Sequence, residues 1–302
     1  IDVNGDEAIP FEYDYCNSFS DGLARAKKDG MIGYINNNGD EVIPFRYDYL
    51  GDFKEGLLPV REKSRYCYIN KNLEVIIPLK FDIGFPFKDG IASVKVDDKY
   101  GFIDNTGSTV VPFNYNYVFE QSEGLIGVRI SKEIGFIDYK NKEIIPFEYD
   151  FSMSNIFVDG YVAVSKGNSS FILDKNGKVI TKLNNQFTIE GRISSGLIRV
   201  KKDNKVGYVD LSGEMIIPAN YDEGQECYNG LIGVKKDDKW GYINCEGEEI
   251  IAPLYDEIQP FVEEDVAPVI LNKKLGIINR TGELVAPLIY DSFCSENFSE
   301  GL

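Results

Sequence analysis

Carboxylates and aromatic rings are the side chains whose spacing in this sequence suggests chemistry. Tyr13 and Asp14, Tyr47 and Asp48, Phe81 and Asp82, Tyr149 and Asp150, Tyr221 and Asp222, and Tyr290 and Asp291 set a ring beside a carboxylate at regular intervals. Such a ladder could stack sugar rings or grip a peptide. The alternative is scaffolding, with each ring packed between units and each Asp capping the turn that follows. Recurrence in nearly every copy is what framework residues show, so scaffolding is the expected role. Paired carboxylates at Asp97 and Asp98, Glu248 and Glu249, and Glu263 and Glu264 have the residue types for general acid-base work. Neighbouring strand residues face opposite sides and hairpin turns are solvated, so these pairs are expected to be surface charge.

Other chemistries lack their parts. The chain has no His, which removes Ser-His and Cys-His nucleophiles, His-ligated zinc and any base with an ordinary pKa near neutrality. Five cysteines (Cys16, Cys67, Cys227, Cys245, Cys294) show no paired spacing and are expected to be buried or incidental thiols rather than a disulfide scaffold or a metal site. The turns at 36–40 and 104–107 offer oxygen ligands to calcium, but no EF-hand loop or Gly-rich nonapeptide accompanies them, so no metal is expected. Lone turn glycines do not make a phosphate cradle. No cofactor and no catalytic residue is expected.

Charge and composition narrow the partners. In 302 residues, 32 Lys and Arg oppose 49 Asp and Glu, for a net charge of -17. No basic stripe is available for phosphates or anionic lipids, so nucleic acid is not an expected partner. No apolar run reaches the roughly 18–20 residues that span a bilayer, so membrane insertion is not expected either. At 43% hydrophobic and 13% aromatic residues the chain should fold. Its first residues lack the layout of a signal peptide, and without an initiating Met, Ile1 is not expected to be the natural start.

Repetition sets the elements that position these residues. "IPFEYD" around Pro10 returns at Pro44, Pro78, Pro112 and Pro146, then at Pro218, Pro253 and Pro287, with Lys182 in the slot that lost its proline. A turn glycine keeps the same beat at Gly5, Gly39, Gly107, Gly177, Gly213, Gly247 and Gly282, with Leu73 and Asn141 filling two slots. A second glycine opens Gly-Leu-x-x-Val at Gly22, Gly56, Gly90, Gly124, Gly160, Gly196, Gly230 and Gly301, replaced once by Asp265. Each unit is expected to hold three strands. The first alternates aliphatic residues with a variable slot. The second, like "WGYIN" at Trp240, ends in an Asx-x-x-Gly turn. The third runs into proline, which marks an edge or an end. An aromatic-rich, irregular connector follows. The copy around 151–206 is the most degenerate.

On these residues, "KWGYINCEGEEIIAPLYDE" from Lys239 and "FEQSEGLIGVRI" with its relatives, the chain resembles the bacterial WG repeat family, also called KWG repeats. The Trp-Gly pair itself survives once, at Trp240 and Gly241. The resemblance implies β-rich repeats in bacterial proteins that are often secreted, at the cell surface or beside other domains. It implies no catalytic residues.

The expected fold is all-β: an open, curved, solenoid-like array of about nine three-stranded meander units of 34–36 residues, with a closed propeller-like ring as the alternative. The unit boundaries fall near 1–21, 22–55, 56–89, 90–123, 124–159, 160–195, 196–229, 230–264 and 265–302 within a single array. The expected role is a non-catalytic scaffold that binds another protein, or alternatively a carbohydrate or cell-envelope module. Interface residues on repeat arrays vary while the framework recurs, which selects the variable slots Arg25, Pro59, Ser93, Arg199 and Pro268. Acidic edge strands favour a monomer.

Overall fold

Alternation builds the first strand of every copy. The computed structural model describes residues 9, 12–17, 19, 22–150, 155–183, 185–261 and 265–291. In it, Ile91–Val96 buries Ala92 and Val94. The same two positions are buried as Leu58 and Val60, Ile126 and Val128, Ile198 and Val200, and Ile232 and Val234. A turn through Asp97 and Asp98, both in the left-handed region at φ 47° and 63°, leads into Lys99–Asp104. Two left-handed residues match the twist of the flanking strands, and short polar side chains tolerate that region well. Asp104 then shapes the next turn, its Oδ1 accepting from the Thr106 and Ser108 N–H groups at 2.9 Å each. Thr109–Tyr115 follows as the third strand.

The expected three-stranded unit is corrected to four. Ile83–Gly84, in the connector, pairs with Val94 and Lys95 ahead of the first strand. Asp82 N–H donates to the Lys95 carbonyl at 2.8 Å and Phe85 N–H to that of Ser93 at 3.1 Å. Two residues are too few to show a period-two pattern, so the sequence does not announce this strand. Among the described residues, six four-stranded sheets repeat the order, and a seven-stranded sheet joins two copies through one pair, Asp150 with Ser165. Four strands is also the usual blade size of closed rings, so strand number no longer separates the expected stack from its alternative.

The third strand explains the glycine of the repeat signature. Tyr100, Phe102 and Ile103 pair with Tyr115, Val111 and Thr109, so extra residues crowd the third strand into a bulge. There the Val111 carbonyl and the Phe113 ring cross over Gly101, with no room for a β-carbon. Gly33, Gly135, Gly207, Gly241 and Gly276 face the equivalent carbonyl in their own sheets. Proline sits at this bulge in Glu41–Tyr47, Val75–Phe81, Thr109–Tyr115, Met215–Tyr221 and Leu284–Tyr290, all terminal strands of their sheets, where a missing N–H leaves no ladder bond unmade. The degenerate copy departs from both rules at once. Phe171 takes the glycine slot, Lys182 the proline slot, and the two pair directly.

By contacts the chain forms two compact units. One takes the described residues up to Val118 together with Tyr139–Asn141; the other takes Phe119–Asp138 and those from Lys142 onward. Within the first, Tyr66, Tyr68, Ile77 and Phe81 of one sheet pack on Phe87, Ala92, Val94 and Ile103 of the next. Within the second, Tyr242, Ile251 and Tyr255 pack on Phe261, Ala267, Val269 and Ile278. Tyr68 and Phe87 meet edge-to-face at 5.1 Å, as do Tyr242 and Phe261 at 4.9 Å. A lone meander could not bury such a face, and its neighbour completes the core.

The expectation of separate thiols is corrected for one pair. Cys227 and Cys245 form a disulfide, their Cα atoms 6.8 Å apart. The connector and the second turn of that module lie at the same end of the sheet, a proximity that a spacing of 18 residues does not reveal. Cys16 is an exposed thiol and Cys67 a buried one, its pKa pushed up to about 11 by burial. Cys294, Gly5, Pro10 and Gly301 lie outside the described residues.

Candidate binding cleft

Most of the Tyr-Asp ladder packs as framework. Tyr47, Phe81 and Tyr149 are buried and Tyr13 and Tyr221 half-buried, whereas Tyr290 is 49% exposed. Four of the ladder's carboxylates turn toward backbone: Asp14, Asp82, Asp150 and Asp222 accept from the N–H groups of Gly30, Asp97, Gly167 and Asp237, and Asp256, which follows Tyr255, accepts likewise from that of Asn272. Each thereby caps the next hairpin turn. Lys205 and Lys239 reach Asp222 and Asp256 at 2.5 Å, and these hydrogen bonds hold both carboxyls below the usual carboxylate range.

The other carboxylates serve turns as well. Asp98 pairs with Lys95 at 2.8 Å in a solvated hairpin turn. Glu248 accepts from the Asn244 amide at 2.8 Å, while Glu263 and Glu264 lie outside the described residues. The Thr106 hydroxyl, together with backbone N–H groups, lowers the Asp104 pKa. Among the described residues, no three His, Cys, Asp or Glu side chains gather to hold a metal ion.

The five variable slots share one environment, the place where the first strand faces the connector. The carbonyls of Arg25, Pro59, Ser93 and Pro268 accept from the N–H groups of Asn17, Gly51, Phe85 and Gln259. Pro59 and Pro268 are buried, and Arg25, Ser93 and Arg199 are half-buried. Arg25 donates to the Leu50 carbonyl at 2.9 Å, and Arg199 donates to the carbonyls of Gly224 at 2.5 Å and Glu190 at 2.8 Å. The variability of this slot follows the connector it must complement.

Arg25 lines an open cleft, of 560 Å³, in the first unit. Leu23, Val42, Ile43, Tyr34 and Phe53 supply its apolar surface, and Asn17, Asp52, Lys54 and Lys71 its polar surface. Strand pairing fixes Arg25 opposite Tyr34. The Tyr34 hydroxyl donates to the Gly51 carbonyl at 3.0 Å, and burial raises its pKa. With Arg25 and Tyr34 both committed to the connector, Lys54, Lys71 and Asp52 are the charges left to meet a ligand. Neither lysine has an ion-pair partner among the described residues. Sequence reasoning missed both lysines because single lysines in loops look like solvated charge. Their signal is sign: two unpaired cations near one cleft in a strongly acidic chain.

Comparison with known proteins agrees with this repeat architecture. A sequence profile described as "WG containing repeat" matches residues 1–31, 32–66, 68–100, 100–132, 134–169, 207–240, 240–274 and 276–302. It passes over 170–206, the later part of the degenerate copy around 151–206. No curated protein matches the chain. Among solved structures, a eukaryotic initiation factor aligns with a TM-score of 0.59 at 10% identity, covering 89% of this chain and 86% of that one, a likeness of fold alone. Hsv2 of Kluyveromyces lactis aligns at 0.43 with 8% identity over 85% and 89% of the two chains. The dihydro-heme d1 dehydrogenase NirN aligns at 0.45 with 12% identity over 87% and 72%. Because matches recur from residue 1 to residue 302, the chain belongs to the WG containing repeat family.

Proposed function

We propose that this chain is a non-catalytic scaffold and that the cleft at Arg25 binds another protein through an acidic surface or segment. The observation that carries this reading is the cleft itself, whose aromatic and aliphatic floor lies beside the unpaired Lys54 and Lys71. Apolar floor with a charged rim is the usual makeup of a protein-binding surface. The glycan reading draws less support, because half of the recurring rings that a sugar would stack on, Tyr47, Phe81 and Tyr149, are buried between sheets, and Tyr13 and Tyr221 are half-buried.

Affinity capture from cells of the source organism tests the proposal, followed by titration of the captured protein. Lys54→Glu with Lys71→Glu is expected to weaken that protein about tenfold or more, equivalent to about 1.4 kcal/mol. Undiminished binding by the double variant overturns the proposal, as does retention on a glycan panel with no protein partner.

A further inference from the structure

The strand Val179–Lys182 differs from the other third strands in a way that concerns its outer edge. It ends the seven-stranded sheet, and Lys182 stands where Pro44, Pro78, Pro112, Pro146, Pro218 and Pro287 stand in their copies. In the strand Glu249–Tyr255, proline is displaced by one residue to Pro253 but is still present. Proline on an edge strand removes a donor and discourages pairing with another chain. Here that device is missing.

The ladder shows which backbone groups lack a strand partner among the described residues. Leu183 N–H donates to the Ser170 carbonyl at 2.9 Å, and Thr181 pairs with Ile172. Backbone groups alternate between the two sides of a strand, so those of Lys182, next to the paired Thr181 and Leu183, point away from the sheet. In most other copies the ring nitrogen of proline occupies the position of this outward Lys182 N–H. Val179 and Ile180 are 48% and 42% exposed, a β-branched pair beside an open edge.

Charge decides what could lie there. Lys178 and Lys182 bracket the strand, and neither has an ion-pair partner among the described residues. The Lys182 ammonium sits 5.7 Å from the centre of the Phe171 ring. A second copy pairing antiparallel about Ile180 would set Lys178 opposite Lys182, and like charges directly opposite are destabilising. An acidic strand would place carboxylates against both.

We propose that the edge of Val179–Lys182 accepts an extended acidic segment of a different protein as an added strand, with main-chain bonds supplying affinity and the two lysines supplying selection. The site is distinct from the Arg25 cleft and does not depend on it.

Isothermal titration of the full chain with a nine-residue peptide of alternating Val and Glu tests this. Binding with a Kd below about 100 μM is expected. Lys182→Pro restores the residue of the other copies and should weaken the peptide about tenfold or more, with the melting temperature retained. Lys178→Glu with Lys182→Glu should weaken it at least as much, and a backbone N-methylated peptide of the same sequence should fail to bind. If Lys182→Pro does not fold, the charge-reversal variant and the N-methylated peptide carry the test. No binding at millimolar peptide, undiminished binding by a folded variant, or equal binding of the N-methylated peptide each overturns the proposal. The Lys54→Glu, Lys71→Glu variant should bind the peptide as the wild type does, which separates this site from the cleft.

Discussion

A β-carbon at Gly101 would lie 2.6 Å from the Val111 carbonyl oxygen and 2.9 Å from the Phe113 ring. The first contact is with backbone in a bulge, so the third strand itself must move to admit a methyl group. The glycine of the repeat signature is therefore a steric requirement of the bulge that proline sits in. The two exceptions fit this reading in part. Phe171 occurs where proline and the register shift beside it are both gone, while the shift between Ile172 and Leu173 remains. Cys67 occurs where both remain, buried in the core between the first two sheets, and nothing in the structure explains why this copy tolerates it. Gly101→Ala is expected to destabilise the protein by about 1–3 kcal/mol, the usual range for overpacking, with a lower urea midpoint and an unchanged slope. A midpoint within error of the wild type would show that the third strand relaxes freely, and the steric account would fail.

At the scale of elements, the hairpins are held by side chains that reach from one repeat to the next. Asp222 accepts from Asp237 N–H at 3.0 Å and from the Lys205 ammonium at 2.5 Å, and its pKa is lowered. A carboxyl with a lowered folded-state pKa contributes stability above its unfolded value, about 3.9, and loses that contribution as pH falls through the folded value. Asp222→Ala should melt below the wild type at pH 7, and the gap should close as the pH falls past the ordinary carboxylate value of about 3.9 and through the lowered folded-state value. A gap that persists at low pH would mean that the substitution acts through packing and not through the carboxylate. This capping role was legible in the sequence, because Tyr-Asp recurs at one phase of the repeat and Asx side chains favour turns. The first strand and the second turn were equally legible from Ala92, Val94 and the Asp104–Gly107 pattern. The linker strand was not, since Ile83 and Gly84 carry no alternation. The cleft was legible only at Arg25. Lys54 and Lys71 converge through the fold, from a connector and a turn that no repeat marker ties together.

At the scale of the whole molecule, charge opposes charge in two ways that salt can separate. The net charge of -17 spreads repulsion among carboxylates over the surface, whereas the ion pairs, such as Lys166 with Glu148 at 2.7 Å and Arg192 with Glu226 at 2.6 Å, act at contact distance. Pairs as exposed as these contribute about 0–1 kcal/mol each. The Debye length is about 30 Å at 0.01 M ionic strength and about 10 Å at 0.1 M, so added salt screens repulsion between distant carboxylates before it weakens groups in contact. The repulsive part should therefore fade first, and self-repulsion is the term that destabilises a compact chain far from neutrality. Raising sodium chloride from about 0.01 M to about 0.3 M is accordingly expected to raise the melting temperature at pH 7. The gain should shrink near pH 4.5, where protonation removes much of the negative charge. A melting temperature that falls with salt at pH 7 would place the balance with the local pairs and would make the acidic surface a source of stability rather than strain.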